Sequence, residues 1–434
     1  MSWDDLQKVL PQTASIGRAG GLEIGGCHTA DLALEFGTPL FVLDLADVRD
    51  RIARYRDAFG GRNVFYASKA FLTKSFAPIL ADGDIGIDCV AGGELYTALA
   101  GGFPAERITV HGNNKARDEL VAALEAGVGR IVVDSLAELE MLRGVTAELG
   151  VVARILLRIT PGVDVHTHSY LQTGIEDSKF GFTIGDTAMQ AIDAAARIEE
   201  IELMGLHSHI GSQLFDLDPF AEAARKMVGF LAGARRATAL ELPELVLGGG
   251  LGIAYLASDA PSSIEDLAKV LHDTVASEAE RASTPAPTVK VEPGRSNIGP
   301  GMVTLYRVGT IKDVPGVRRF VAVDGGMSDN IRVPLYQARY MYLSATRPEA
   351  PHDQVVTIAG KLCETGDLIG HDVALPDVEA GELLACAATG AYGYAMASNY
   401  NKQPKPAVVA VFGGEVRTLA RRESFEDLVR LESV

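Results

Sequence analysis

A chain of 434 residues, 47% hydrophobic and 22% charged, can bury two substantial cores, which sets aside a disordered protein. A formal net charge of −17 repels polyanions, so nucleic acid and anionic membrane are poor partners and an anionic ligand needs a local site. The start Met1-Ser2-Trp3-Asp4-Asp5 lacks the basic and apolar runs of a signal peptide, no run reaches membrane-spanning length, and Cys27, Cys89, Cys363 and Cys386 form no CxxC pair, so a cytoplasmic protein with reduced thiols is expected.

In chain order, residues 38–44 read as a strand and residues 46–59 as a helix with Val48, Ile52 and Tyr55 on one face. A rhythm of short apolar strand, polar end and amphipathic helix follows. It predicts strands at 64–68, 85–88, 108–110, 131–133, 155–159, 203–206, 245–247 and 289–291. Helical stretches at 94–100, 116–126, 136–149, 188–196, 220–234 and 263–282 lie between them. Parallel strands need crossover helices, so the pattern predicts an α/β (β/α)8 barrel over residues 37–295, with a doubly wound open sheet as its rival. Past Arg295 the sequence turns β-rich, with runs at 302–311, 320–323, 355–358, 383–388 and 407–412. Residues 296–434, with 1–36, are read as an all-β barrel or sandwich domain.

Barrel enzymes carry their active sites at the carboxyl ends of the strands. Those ends supply Lys69, Asp88, His111, Asp134, Arg158, His209, the run Gly248-Gly249-Gly250 and Glu292. A strand-end lysine is ordinarily solvated, and what lends Lys69 weight is this surrounding set. Consecutive glycines let backbone N–H groups approach an anion, and loops after strands seven and eight are where barrels bind phosphate. Gly211-Ser212 and Arg295 could add donors. With Ile253 in the place of the last glycine, the run is not a GxGxxG dinucleotide fingerprint. A lysine, a phosphate cradle and a carboxylate together point to pyridoxal 5′-phosphate, held covalently on the lysine with an acid at its ring nitrogen. For His207-Ser208-His209 the alternatives are a satisfied core pair or a metal site, and His166-Thr167-His168 reads as loop.

At this point the sequence resembles the fold-type III pyridoxal-phosphate decarboxylases, the ornithine, diaminopimelate and arginine decarboxylase group. The resemblance rests on Tyr66-Ala67-Ser68-Lys69-Ala70, His207-Ser208-His209-Ile210-Gly211-Ser212, Glu292-Pro293-Gly294-Arg295 and Cys363-Glu364-Thr365-Gly366-Asp367. Thr160-Pro161-Gly162 with Asp177-Ser178-Lys179-Phe180-Gly181, Asp324-Gly325-Gly326-Met327-Ser328-Asp329, and Gly390-Ala391-Tyr392-Gly393 with Ser398-Asn399-Tyr400-Asn401 are similar to the diaminopimelate branch. Ser208 stands where many members have cysteine, and Thr365 where many have serine.

The resemblance implies a carbon–carbon lyase that converts meso-2,6-diaminopimelate to L-lysine and carbon dioxide. The alternative is a sister enzyme acting on ornithine, arginine or a carboxylated polyamine. It implies that Lys69 carries the cofactor and His209 stacks on it, that Glu292 pairs with the ring nitrogen, and that Asp88, Ser212, Gly249, Gly250, Arg295 and Tyr392 complete the cofactor site. It implies Arg295, Arg332 and Tyr336 for the distal carboxylate and Glu364 for the distal ammonium, beside Tyr392. Cys363 is implied as the acid at Cα, supplied by the partner in a homodimer with shared sites. Read without the resemblance, Cys363 would be a buried small hydrophobe. A racemase of the same fold would place a basic residue where Glu292 stands, and a non-catalytic carrier would lack the β domain. No metal is expected, and residues 174–179 are read as a mobile loop.

Overall fold

The computed structural model describes residues 2–18, 20–163 and 178–433. His166, Thr167 and His168 lie outside them, as do Asp177 and residues 174–176 of the loop predicted to be mobile. Contacts divide the chain into two units, Ile52–Gly252 with Pro261–Gly294, and Met1–Arg51 with Ile253–Ala260 and Arg295–Val434.

The first unit holds eight parallel strands: β1 (Phe65–Ala67), β2 (Gly86–Cys89), β3 (Ile108–Val110), β4 (Arg130–Val133), β5 (Ala153–Thr160), β6 (Ile201–His207), β7 (Glu244–Val246) and β8 (Thr288–Lys290). Each pairs with its neighbour in chain order, and Phe182–Thr183 adds a short parallel pairing on β5. The first and last strands then meet. Val64 bridges Val291 in parallel, Phe65 N donates to Val291 O at 2.8 Å, and Ala67 N donates to Pro293 O at 3.1 Å. That closure decides for the barrel, because an open sheet would leave β1 and β8 with unpaired edges.

The helices form where apolar residues recur every three or four positions and a cap meets the exposed N–H groups. Ile264–Arg281 buries Ile264, Leu267, Ala268, Leu271, Val275 and Ala279, and its N-cap Ser263 accepts from Asp266 N at 3.0 Å. Leu136–Leu149 is capped by Ser135 and ends at Gly150, whose φ of 65° suits glycine. The sequence reading did not name the short helix Ala77–Asp82 between β1 and β2.

Within the barrel an ion cluster is nearly dry. Glu244 on β7 accepts from Arg130 Nη2 at 2.6 Å and Nε at 3.1 Å, and Lys290 Nζ lies 2.8 Å away. The three side chains are only 10–17% exposed, so each charge depends on the others for the hydration it has lost.

In the second unit Met302–Val314 is the organising strand. Its first half pairs with Leu40–Asp44 and Leu383–Cys386, and its second half with Arg318–Val323. Val303 and Leu305 enter one apolar core while Tyr306 and Val308 enter another, as the two-residue period of a strand requires. Gln354–Ala359 and Leu368–Leu375 extend the sheet on one side, and Ala407–Phe412 and Glu415–Ala420 on the other.

The domain boundary differs from the expected one. The barrel was expected to begin at residue 37, yet Leu40–Asp44 lies between Met302–Val314 and Ala407–Phe412 in the β sheet, and the division falls inside the helix Leu45–Phe59. A five-residue strand of Leu, Phe and Val carries no mark of the sheet it will join. Strands not anticipated include Tyr342–Ser344, Leu368–Leu375 and Glu415–Ala420. In the second of these, exposed His371 and Asp372 interrupt the apolar run and the register shifts opposite Ile358. Among the described residues no helix is long and apolar enough to cross a membrane.

Glu244→Ala would strand two buried cations. We expect it to lower stability by about 3–5 kcal/mol in urea denaturation of the intact protein, and an unchanged midpoint would refute the cluster's importance.

Candidate active site

Each barrel strand stops where its last polar residue can face the carboxyl rim. Lys69 sits in a 3-10 turn, Ser68–Ala70, immediately after β1 and is exposed. Asp88 lies on β2 and is 96% buried, with its Oδ1 bonded to no group of the protein. Burial pushes the Asp88 carboxyl up to about 7, with His111 and Lys69 opposing the shift and Glu292 and Glu94 adding to it.

Glu292 follows β8 and is buried with two imidazoles. His207 Nε2 lies 2.9 Å from Glu292 Oε2, and His111 Nε2 lies 3.1 Å from Oε1. Burial would raise the carboxyl, but the two histidines outweigh it and hold Glu292 well below the usual carboxylate range. His207 itself is neutral at pH 7, since burial takes it down to about 4 against the pull of Glu292.

His209, two residues past β6, is held well below its ordinary value by burial and by the nearby Lys69 and Arg158 cations. Its Nδ1 accepts from Gly249 N at 3.3 Å, so the neutral ring carries its proton on Nε2. His207 and His209 therefore have different partners. The expected alternatives for this pair resolve into a histidine bonded to a carboxylate and a histidine bonded to the glycine loop. His111, His207 and Glu292 are also the one group of possible metal donors among the described residues. His207 is hydrogen-bonded to Glu292 at 2.9 Å and His111 Nε2 lies 3.1 Å from its other oxygen, whereas two donors on one tetrahedral zinc stand roughly 3.3 Å apart.

The glycine loop is shaped by close approach. A Cβ on Gly249 would stand 2.2 Å from Glu292 O, and one on Gly250, whose φ is +118°, would stand 2.5 Å from Gly211 O. Leu214 N donates to Gly250 O at 3.0 Å and Gly252 N to Leu214 O at 2.8 Å, which ties the loop after β6, with Ser212, to the loop after β7. Here successive backbone amides are brought together as an anion cradle needs.

A second tier supports the rim. Lys115 Nζ donates to Gly112 O at 2.8 Å, Val132 O at 2.6 Å and Glu138 Oε1 at 2.7 Å, and Glu138 Oε2 accepts from Asp134 N at 3.0 Å. Asp134 accepts from Gly181 N, and its other oxygen is 3.9 Å from Arg158, whose guanidinium covers the Phe180 ring at 4.1 Å. The sequence offered no signal for Lys115 or Glu138, a lysine in a polar loop and a glutamate in the first turn of a helix.

In the second unit two buried guanidiniums converge on one phenol. Arg295 Nη1 donates to Tyr255 Oη at 2.5 Å and Arg332 Nη1 at 2.9 Å, and Arg332 also bonds Tyr340. Arg295 lies 4.9 Å from the centre of the Tyr392 ring. Burial would raise the Tyr255 phenol, but the two arginines lower it. Tyr340, not Tyr336, is the tyrosine bonded to Arg332; Tyr336 is half-buried on the same short helix, Arg332–Tyr336. Tyr255 and Tyr340 were missed, and neither sits in a recognisable motif. Cys363 is exposed, while Cys27, Cys89 and Cys386 are buried, so the small-hydrophobe reading of Cys363 is set aside. Its N–H donates to Asn401 Oδ1 at 3.1 Å, and Glu364 Oε2 accepts from Tyr400 at 3.3 Å.

A closed barrel whose rim carries a lysine, a buried carboxylate and an amide cradle, on a chain with a second β-rich unit, defines a class. The model of the pyridoxal-dependent decarboxylases, pyridoxal binding domain, matches residues 45–299, and the chain belongs to that family, in its diaminopimelate decarboxylase branch. The diaminopimelate decarboxylase of Bacillus subtilis is 48% identical over 419 residues, covering 95% of each chain. That of Mycobacterium tuberculosis is 45% identical over 437 residues, covering 98% of this chain and 97% of its own. The crystal structure of diaminopimelate decarboxylase from M. jannaschii in complex with L-lysine superposes with a TM-score of 0.91, at 34% identity and 98% coverage of both chains.

The cofactor of the family is pyridoxal 5′-phosphate. The rim fits it: Asp88 Oδ1, Ser68 Oγ, Ser208 Oγ and His207 Nδ1 are buried polar atoms with no hydrogen-bond partner, which a polar ligand can satisfy, and the glycine cradle suits a phosphate.

Lys115→Met would leave Glu138 buried without its cation. We expect a loss of about 3–5 kcal/mol in chemical denaturation, and recovery of more than half in Lys115→Met/Glu138→Leu; equal losses in both would refute the pairing.

Proposed function

We propose that the chain decarboxylates meso-2,6-diaminopimelate to L-lysine and carbon dioxide, the last step of lysine biosynthesis. The observation that carries the substrate choice is the pair of buried guanidiniums of Arg295 and Arg332 at Tyr255. A guanidinium binds a carboxylate through two parallel hydrogen bonds, and diaminopimelate has a distal carboxylate to offer. Ornithine, arginine and the carboxylated polyamines of the sister enzymes have none at that end. Two desolvated cations would repel their distal ammonium or guanidinium, which disfavours the alternative.

Pyridoxal phosphate, when bound, supplies an electron sink for the pair left by the broken Cα–carboxylate bond. Lys69 would hold the cofactor covalently. Glu292, ionised among its histidines, would keep a proton at the ring nitrogen, and neutral His209 would help hold the ring. Asp88, Ser212, Gly249, Gly250 and Tyr392 complete the cofactor's surroundings. Arg295, Arg332 and Tyr336 hold the distal carboxylate, and Glu364 receives the distal ammonium. Cys363 delivers a proton to Cα once carbon dioxide has left.

A thiol exposed on its own chain suits a residue that serves a second copy, and we assign the working form to a homodimer in which each subunit lends Cys363 and Glu364 to the other.

The decisive experiment is an absorbance spectrum of the protein with pyridoxal phosphate, with carbon dioxide release followed from meso-diaminopimelate. We expect a lysine-bound cofactor band that Lys69→Ala abolishes, and product from diaminopimelate but not from ornithine or arginine. A band without carbon dioxide from diaminopimelate would overturn the substrate assignment. For the dimer, equal mixing of inactive Lys69→Ala and Cys363→Ala should restore about a quarter of wild-type activity, because half of randomly formed dimers carry one intact site. No recovery after demonstrated subunit exchange would refute sharing.

A further inference from the structure

Two imidazoles stand behind Glu292, and the chemistry above gives them no task of their own. His207 ends β6, and His111 follows β3 directly. Their rings meet edge to face, with centres 4.9 Å apart, and each presents Nε2 to a different oxygen of the carboxylate, at 2.9 and 3.1 Å. All three groups are more than nine-tenths buried, His207 at 1% exposure, His111 at 5% and Glu292 at 8%. The tautomer of His207 follows from its surroundings. Nδ1 is buried and has no partner in the protein, so the single proton of a neutral ring belongs on Nε2, where the carboxylate accepts it.

A glutamate side chain has three rotatable bonds, and Glu292 stands beyond the last residue of a three-residue strand. Nothing in the backbone fixes the plane of its carboxylate. One rigid imidazole hydrogen-bonded to Oε2 and a second packed 3.1 Å from Oε1 do fix it. We propose that His207 and His111 are positioning residues for Glu292: His207, hydrogen-bonded to one carboxylate oxygen, and His111, packed 3.1 Å from the other, set the plane of the group and direct its remaining lone pairs toward the ring nitrogen of the bound cofactor. This rests on the assignment of Glu292 as the ring-nitrogen partner.

The test is the ring-nitrogen chemical shift of 15N-labelled pyridoxal phosphate bound to the full-length protein at neutral pH. Wild type should give the signal of a protonated pyridine and Glu292→Gln that of an unprotonated one. His207→Phe and His111→Phe should move toward the unprotonated signal, with kcat lower on the order of ten-fold and KM within about two-fold. His207→Gln, which returns a donor near the place of Nε2, should restore the wild-type signal. Wild-type signals in both Phe variants, with the signal lost in Glu292→Gln, would overturn the proposal and leave the Glu292 assignment standing. Identical signals in wild type and Glu292→Gln would instead refute that assignment. Should the Phe variants fail to fold, the infrared spectrum of cofactor-free wild type, with the Glu292 band assigned by its loss in Glu292→Gln, decides. An ionised carboxylate band shifted in His207→Ala and returned to its wild-type position in His207→Gln supports the clamp, and a protonated carboxyl or a band unshifted in His207→Ala overturns it.

Discussion

Closure of the sheet between Val64 and Val291 is the constraint on which the site depends. Eight parallel strands that run in one direction and leave no edge must deliver all eight carboxyl ends to a single rim. Residues as distant in sequence as Lys69 and Glu292 thereby come to share one electrostatic environment, as the influence of both on Asp88 shows. Had the sheet stayed open, β1 and β8 would be its far edges.

Burial gives that rim its chemistry. Water would level the differences among its ionisable groups, whereas in the desolvated mouth they separate. Asp88 rises to about 7, His207 falls to about 4, and Glu292 stays ionised. The neutral state of His209 has the same origin, and its hydrogen bond with Gly249 joins it to the glycine loop. The glycines are fixed from the other side, since the backbone of Glu292 leaves no room for a Cβ at Gly249. Carboxylate, imidazole and amide cradle thus form one interlocked set.

In the second unit the same logic uses cations. Arg295 and Arg332 would repel each other if nothing stood between them, and the shared phenol of Tyr255 with the faces of Tyr340 and Tyr392 makes their approach tolerable. Tyr255 belongs to Ile253–Ala260, a short stretch that follows the barrel's glycine loop and packs with the β-rich unit. A periodicity-based reading has no means of seeing such an excursion, because the segment is eight residues long and carries no complete strand or helix.

The barrel's strand and helix order was legible because it is written locally: runs such as Ile108–Val110 and helices such as Leu136–Leu149 show their period and caps in a dozen residues. The strand-end polar residues were legible for the same reason, once the barrel supplied a rule for where strand ends go. Their pairing was not. Nothing local distinguishes His207, bonded to Glu292, from His209, bonded to Gly249, or marks Lys115 and Glu138 as partners across two elements. Leu40–Asp44 makes the point for the backbone. Its residues alone mark it as a buried strand, whereas its pairing with Met302–Val314 emerges only in the folded chain, because a strand's hydrophobicity fixes its burial while its neighbour is set by whichever distant edge it can satisfy.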